Sequence, residues 1–182
     1  YKFDSLDVDK IADDSDIIFM ALPHGEALQL IPKFLHKHCK IIDLSADMRL
    51  NDGKTYSQWY KVANNQELLD AAVYGLPEIY LQEKIHHASI IANPGCYPTA
   101  TILGLAPLLT NNLIDIEGKP LIIDAKSGVS GAGRGLSLGT HFCEVMNNFS
   151  AYQIGGIHRH IPEIEQELSK LAKRSVLVQF TP

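Results

Sequence analysis

Apolar positions in this chain alternate between short unbroken runs and helical spacings. Asp16-Ile17-Ile18-Phe19-Met20-Ala21-Leu22 is apolar on both faces and predicts a strand covered on each side, as in a parallel sheet. Leu22-Pro23-His24-Gly25 reads as the turn that follows it. Ala27, Leu28, Ile31, Phe34 and Leu35 then fall at helical spacing up to His38, with Pro32 expected to kink or interrupt the helix. Lys40 to Leu44 is a second strand, which completes a βαβ unit, the mark of an α/β fold. Ahead of this unit, Tyr1 to Asp14 is polar, with one helical turn expected around Val8 to Ala12.

Ser45 to Asn65 reads as a long polar connection holding a short helix near Ser57 to Lys61, and Leu68 to Leu76 fits helix and strand equally. A helix is predicted from Pro77 to about His87, where His86-His87 closes it, and a buried strand over Ser89 to Ala92. Asn93-Pro94-Gly95 is a turn: Pro fixes φ, and Gly permits conformations that other residues avoid. Beyond it Ala100, Ile102, Leu103, Ala106 and Leu109 mark one face of a helix, with Pro98 in its first turn. Lys119 to Ala125 is a strand, Gly128 to Gly139 a Gly/Ser-rich loop, and Tyr152 to His160 an extended segment. Pro162 opens a helix with Ile161, Ile164, Leu168 and Leu171 on one face, and Glu163 and Glu165 suit its N-terminus. Val176 to Phe180 is the final strand. No internal repeat or low-complexity linker appears.

Composition narrows the function classes. The chain has 182 residues, enough for one sizeable core or two small ones, with 46% apolar and 20% charged residues, as in a globular protein. Its net charge of −5, with Lys and Arg scattered and no basic stripe among aromatics, argues against nucleic acid. No apolar run reaches bilayer length and no signal-peptide pattern opens the chain, so no membrane partner is expected and a cytoplasmic setting is the default. Cys39, Cys96 and Cys143 are odd in number and far apart, which suggests neither a disulfide framework nor a cysteine zinc site.

Cys96 stands where a strand ends and a helix begins. Helix N-terminal N–H groups favour a thiolate and can hold a developing oxyanion, so Cys96 is a candidate nucleophile. The plainer alternative is an inert packed cysteine, the reading preferred for Cys39 and Cys143. In Gly156-Ile157-His158-Arg159-His160, an extended backbone would turn both imidazoles to one side, one to act as acid/base and one to orient it. Two surface histidines capping a helix, or a metal pair without a third ligand, are the alternatives. His158 is favoured as the acid/base: Gly155-Gly156 would let the backbone approach the site, and His160 would be held by the helix end. Asp124 to Arg134 offers exposed N–H groups with Lys126 and Arg134 and suits an anion, against the plainer reading of a flexible loop. Arg49 follows a strand's C-terminal end, where open α/β sheets bind ligands, and either grips an anion or pairs with an Asp to hold its loop.

Asn93-Pro94-Gly95-Cys96-Tyr97-Pro98-Thr99 resembles the signature of the N-acetyl-γ-glutamyl-phosphate reductases. Leu22 to Gly25, Asp43 to Leu50, Gly75-Leu76-Pro77-Glu78, Ser127 to Arg134 and His158 to Ile164 agree in order, with Met48 where Phe is expected. The resemblance implies residues 1–92 of a partial Rossmann-like NADP domain and 93–182 of a partial α/β catalytic and dimerisation domain. It implies NADPH-dependent reduction of an acyl phosphate to a semialdehyde through a Cys96 thioester, in arginine biosynthesis. His158 or His160 would be the acid/base; Arg49, Ser127, Arg134 and Arg159 would contact substrate or other anions; Pro23, His24, Gly25 and Gly128 would contact NADP. The partners implied are a small acyl phosphate and, at full length, a second copy of the chain. The family's N-terminal glycine-rich loop and C-terminal sheet are not found in these residues, so a fragment with weak cofactor binding is expected. Aspartate-semialdehyde dehydrogenase is the nearest rival; a cysteine hydrolase and an inactive structural remnant are the others.

Overall fold

The computed structural model describes residues 3–35 and 37–182. The parts of the N-terminal stretch and of the first expected helix that fall on residues 1, 2 and 36 lie outside the described residues. Helix α1 (Val8–Asp13) is capped by the Asp7 carboxylate, which accepts from Lys10 N–H. Then come β1 (Ile17–Met20), α2 (Glu26–Leu30) with a 3₁₀ turn at Ile31–Lys33, and β2 (Lys40–Asp43). Pro32 sits in that 3₁₀ turn, where the helix is interrupted as expected.

Helices α3 (Gly53–Tyr60) and α4 (Gln66–Ala71) follow, capped by Asp52 and Asn65. They lead into β3 (Ala72–Tyr74), α5 (Gln82–His87) and β4 (Ile90–Ala92). The four strands form one parallel sheet in the order β1-β2-β4-β3. The ambiguous stretch 68–76 therefore divides into the end of a helix and an edge strand with no break between them. The helix predicted from Pro77 begins only at Gln82; residues 77–80 form a turn held by Ile79 and Tyr80 N–H groups on Leu76 O. Ile17 and Phe19 on β1 are exposed, so this strand is not covered on both faces; Met20 joins the core and Ile18 packs against it.

Helix α6 (Cys96–Thr110) opens the second half. It continues through β5 (Leu121–Asp124), 3₁₀ turns at Val129–Ala132 and Leu138–Thr140, α7 (Phe142–Val145), α8 (Ile161–Ala172) and β6 (Val178–Thr181). Strands β5 and β6 pair in parallel as a second sheet. Apolar side chains gather in two clusters. One joins Met20, Ile31, Phe34, Ile41, Tyr56 and Ile90, and the other joins Tyr97, Ile102, Leu109, Ile164, Leu168 and Phe180. Trp59 packs against both.

Candidate active site

Because the first sheet is parallel, the loops after β1, β2 and β4 leave it at the same edge, the edge where such sheets bind ligands. Hydrogen bonds tie these loops together. Gly25 N–H donates to both carboxylate oxygens of Asp47, at 2.9 and 2.8 Å. Ala46 N–H donates to His24 Nδ1 at 3.3 Å, and Asn93 N–H to Asp43 O at 2.9 Å. Asp43, at the end of β2, and residues 45–50, the start of the expected polar connection, are all buried. Their polar side chains are satisfied inside: Asp43 by Ser45, Asp47 by Gly25 and Tyr56.

Cys96 is the first residue of α6 and is exposed, while Cys39 is buried. Cys143, expected to be packed, is also exposed, on the short helix α7. Gly95, before Cys96, has φ −65° and ψ 156°, a conformation open to any residue. Its glycine is required by space: a methyl group there would stand 2.9 Å from His160 Nε2 and 3.0 Å from both Arg49 Nη1 and Pro98 Cδ. The His160 ring thus lies against the turn that presents Cys96.

Residues 152–160 are not extended. Gln153, Gly155 and Gly156 all have positive φ, and the segment folds as successive turns. These turns still bring the His158 and His160 rings together, with centroids 4.8 Å apart. His160 is the N-cap of α8 but makes no side-chain cap bond, so its ring is not held by the helix end. His158 is buried, packed edge-on against Tyr97, Tyr152 and Phe180. Burial, followed by the charge of Arg159, pushes His158 down to about 4. Burial, with His158 and the nearby arginines, pushes His160 down to about 3. Both imidazoles are neutral near pH 7, the form that accepts a proton. Among the described residues, His160 Nδ1 is buried with no partner.

The Tyr152 hydroxyl donates to Tyr97 Oη (3.3 Å), and Tyr97 Oη–H donates to Ser127 Oγ (2.8 Å). This chain brings Ser127 and Gly128, at the start of the glycine-rich loop, to the first turn of α6. Burial, the bond to Tyr97 and the proximity of Cys96 raise the Tyr152 hydroxyl above its ordinary range. Arg159 is exposed and lies over the Tyr60 ring, 5.4 Å from its centroid; His24 packs edge-on against the same ring at 5.1 Å. The Pro23-His24-Gly25 turn and the His-Arg-His segment therefore share Tyr60. Arg134 is exposed in its loop, with no hydrogen bond or ion pair to these residues among the described ones.

Arg49 is buried, and its guanidinium is turned to the protein: Nε donates to Asn93 O (2.7 Å) and Nη2 to Leu44 O (2.9 Å). Its acidic partner is Glu163, with Nη1 3.5 Å from Oε2, and not an Asp of its own loop. Glu163 is the site residue that the sequence reading placed only as a helix-end charge. It is fully buried, and Oε1 accepts from Gly95 N–H and the Tyr74 hydroxyl, both at 2.8 Å. Burial holds its carboxyl above the usual range, against the opposing pull of Arg49. A signal existed: Glu163 and Glu167 directly precede core residues Ile164 and Leu168 at i, i+4 spacing, on the flank of the apolar face. Among the described residues, no group of three or more His, Cys, Asp or Glu side chains could hold a metal ion.

Family models match both halves of the chain. The NAD binding domain of semialdehyde dehydrogenase matches residues 1–88, and the dimerisation domain of semialdehyde dehydrogenase matches residues 96–182. The chain belongs to the semialdehyde dehydrogenase family. Within this family it is similar to proteins named N-acetyl-gamma-glutamyl-phosphate reductase. The one from Desulforamulus reducens is 57% identical over 180 residues, 98% of this chain and 51% of the relative. Those from Pelotomaculum thermopropionicum and Geotalea daltonii are 54% and 52% identical, each over 98% of this chain and 51% of theirs. The chain thus spans about half the length of the curated relatives it matches. No helix among the described residues is long and apolar enough to cross a membrane.

Proposed function

We propose that this chain is part of an NADPH-dependent N-acetyl-γ-glutamyl-phosphate reductase that forms N-acetylglutamate semialdehyde in arginine biosynthesis. The observation that carries the reading is Cys96, exposed at the first position of α6 with His160 Nε2 against the residue before it. Similarity to relatives bearing that name supports the substrate.

In this reading, neutral His160 takes the Cys96 thiol proton and the thiolate attacks the acyl carbon. The C–O bond to phosphate breaks, and the proton held by His160 goes to the departing phosphate. The N–H groups at the start of α6 stabilise the oxyanion of the tetrahedral intermediate. A thioester remains on Cys96. A nicotinamide cofactor held at the Pro23–Gly25 turn would supply the hydride that reduces this thioester. Collapse of the resulting thiohemiacetal re-forms a C=O bond as an aldehyde and returns the Cys96 thiolate, which is reprotonated from solvent.

The turn at Pro23, His24 and Gly25 suits a cofactor, because it lies at the ligand-binding edge of the sheet and shares Tyr60 with the His-Arg-His segment. Gly128 would meet it from the loop that Tyr97 draws in through Ser127. Gly25 N–H already donates to Asp47, so His24 and the backbone around it would supply the contacts. Arg159, Ser127 and Arg134 are the proposed anion contacts. Arg49 is less suited, since each of its guanidinium nitrogens already faces a protein oxygen. His158 orients His160: its Nδ1 accepts from the His160 N–H. This exchanges the two roles expected from sequence. Assembly of the full-length protein into a homo-oligomer is supported by the dimerisation-domain match and by exposed Leu136, Leu138, Phe142 and Phe149; the cytoplasm is its proposed setting.

The test is the reverse assay on the full-length protein: N-acetylglutamate semialdehyde, phosphate and NADP⁺, with reduced nicotinamide read by absorbance. Turnover is expected with NADP⁺ and lost in Cys96→Ser, while Cys39→Ser and Cys143→Ser keep most of it. Turnover retained by Cys96→Ser would overturn the mechanism.

A further inference from the structure

Two residues from distant parts of the chain, Arg49 and Glu163, meet around the turn before Cys96, and their contacts with it and with each other close a ring. Arg49, beyond β2, donates from Nε to Asn93 O at one end of the turn. Glu163, on α8, accepts at Oε1 from Gly95 N–H at the other end. Arg49 Nη1 and Glu163 Oε2 stand 3.5 Å apart, an ion pair without a hydrogen bond, and complete the circuit around Pro94. Tyr74, on β3, donates to Glu163 Oε1 at 2.8 Å and fixes the carboxylate from the far side. Both charged side chains are buried, at 8% and 1% exposure, so neither is screened by water.

A buried ion pair is weak evidence for stability, because desolvation offsets most of the attraction. What this pair does that an apolar pair could not is hold two opposite backbone groups of one tight turn. The Asn93 carbonyl needs a donor and the Gly95 amide an acceptor; the joined pair supplies both, and two apolar side chains would supply neither. The amide bound is that of the N-cap of α6, one residue before the thiol.

We propose that the Arg49–Glu163 pair is a positioning clamp that holds the Asn93–Gly95 turn, and through it sets the direction of the Cys96 thiol relative to His160. Neither residue touches the reacting atoms in this account. The clamp also joins the loop after β2 to α8, so the thiol's placement depends on the docking of the two halves of the chain. The proposal rests on the reading of Cys96 as nucleophile.

The three cysteines provide the experiment. Iodoacetamide is added to the 182-residue chain and modification of each cysteine is followed by peptide mass spectrometry. Cys143 is an exposed reference thiol and buried Cys39 reports unfolding. In the parent chain Cys96 is expected to react ahead of Cys143, with Cys39 protected. If Cys96 shows no lead, the nucleophile reading fails and the clamp with it. Glu163→Ala is expected to abolish the lead while Cys39 stays protected, and Glu163→Gln, whose amide oxygen still accepts from Gly95, to restore much of it. A lead that survives Glu163→Ala with Cys39 protected overturns the clamp and leaves the nucleophile reading standing. If Glu163→Ala exposes Cys39, the paired change Arg49→Met with Glu163→Met, which leaves no lone buried charge, decides: loss of the lead supports the clamp and retention overturns it. If that chain also exposes Cys39, the pair serves the fold as a whole and the clamp is overturned. In the full-length enzyme Glu163→Ala is expected to lower kcat by about 10²-fold with KM changed little.

Discussion

The backbone N–H of His160 donates to Nδ1 of His158 across 3.1 Å. This bond makes His158 Nδ1 an acceptor, so the neutral ring carries its proton on Nε2. An imidazolium has no acceptor to offer there, so protonating His158 would break the bond. The depressed value of about 4 has burial as its main cause, and the bond opposes protonation in the same direction. His158 is thereby suited to fixing the loop that carries His160; His160 is held lower still, at about 3, but its Nε2 lies against Gly95 and its Nδ1 has no partner among the described residues, so its ring is the one with nitrogens open to proton transfer.

The two histidines should therefore differ when replaced in the full-length enzyme. His160→Asn is expected to cost about 10²–10⁴-fold in kcat and to remove a limb of the pH–rate profile. His158→Asn is expected to cost less and to leave that limb in place. The pH–rate profiles of the two variants check this, and a larger loss in His158→Asn with the limb removed would restore the assignment favoured from sequence.

Gly95→Ala tests the crowding of the same turn. The backbone angles there suit alanine, so the fold should survive, but the added methyl meets His160 Nε2 and Arg49 Nη1 at 2.9 and 3.0 Å. A displaced imidazole is expected to lower kcat by about 10²-fold. Circular dichroism should show an unchanged melting profile beside the kinetic loss. Unchanged turnover would mean that the ring moves aside without consequence.

These glycines also show what could be read before the structure. The parallel βαβ frame was legible because Ile17–Met20, Lys40–Asp43 and Ile90–Ala92 are apolar runs bounded by turn residues. The strand-to-helix placement of Cys96 followed from Asn-Pro-Gly ahead of a helical spacing. The reason for each glycine was not legible. Gly95 looked conformational and is instead required by close approach, whereas Gly155 and Gly156 looked like close approach. They have φ of +83° and +80°, with nothing among the described residues within 4 Å of an added methyl. Composition shows that a glycine is present and not which of its two uses applies. The burial of Asp47, Arg49 and Glu163 was hidden for a related reason: their partners lie on other elements, up to 114 positions away for Arg49 and Glu163 (163 − 49). Strand β3 escaped because three residues directly after a helix carry no period of their own.

The histidines also predict how stability depends on pH. Both have folded values below the ~6.5 of an unfolded histidine, so between those values the unfolded chain binds more protons. Their contribution is full above pH ~6.5 and is lost as pH falls toward about 4 for His158 and about 3 for His160. Buried Glu163 and Asp43, whose values are raised, act in the opposite sense and offset part of this. His158→Asn should therefore flatten the fall of melting temperature between pH 6.5 and 4. An unchanged slope in thermal melts across that range would show that His158 is not buried neutral in solution.

The central claim is that Cys96 carries the acyl group. It is tested most directly by mixing the full-length protein with N-acetyl-γ-glutamyl phosphate in the absence of any reduced nicotinamide and recording the mass of each cysteine peptide. The account predicts an N-acetylglutamyl adduct on the Cys96 peptide, released by hydroxylamine and absent from Cys96→Ser. An unmodified Cys96, or the same adduct on Cys143 alone, would contradict it.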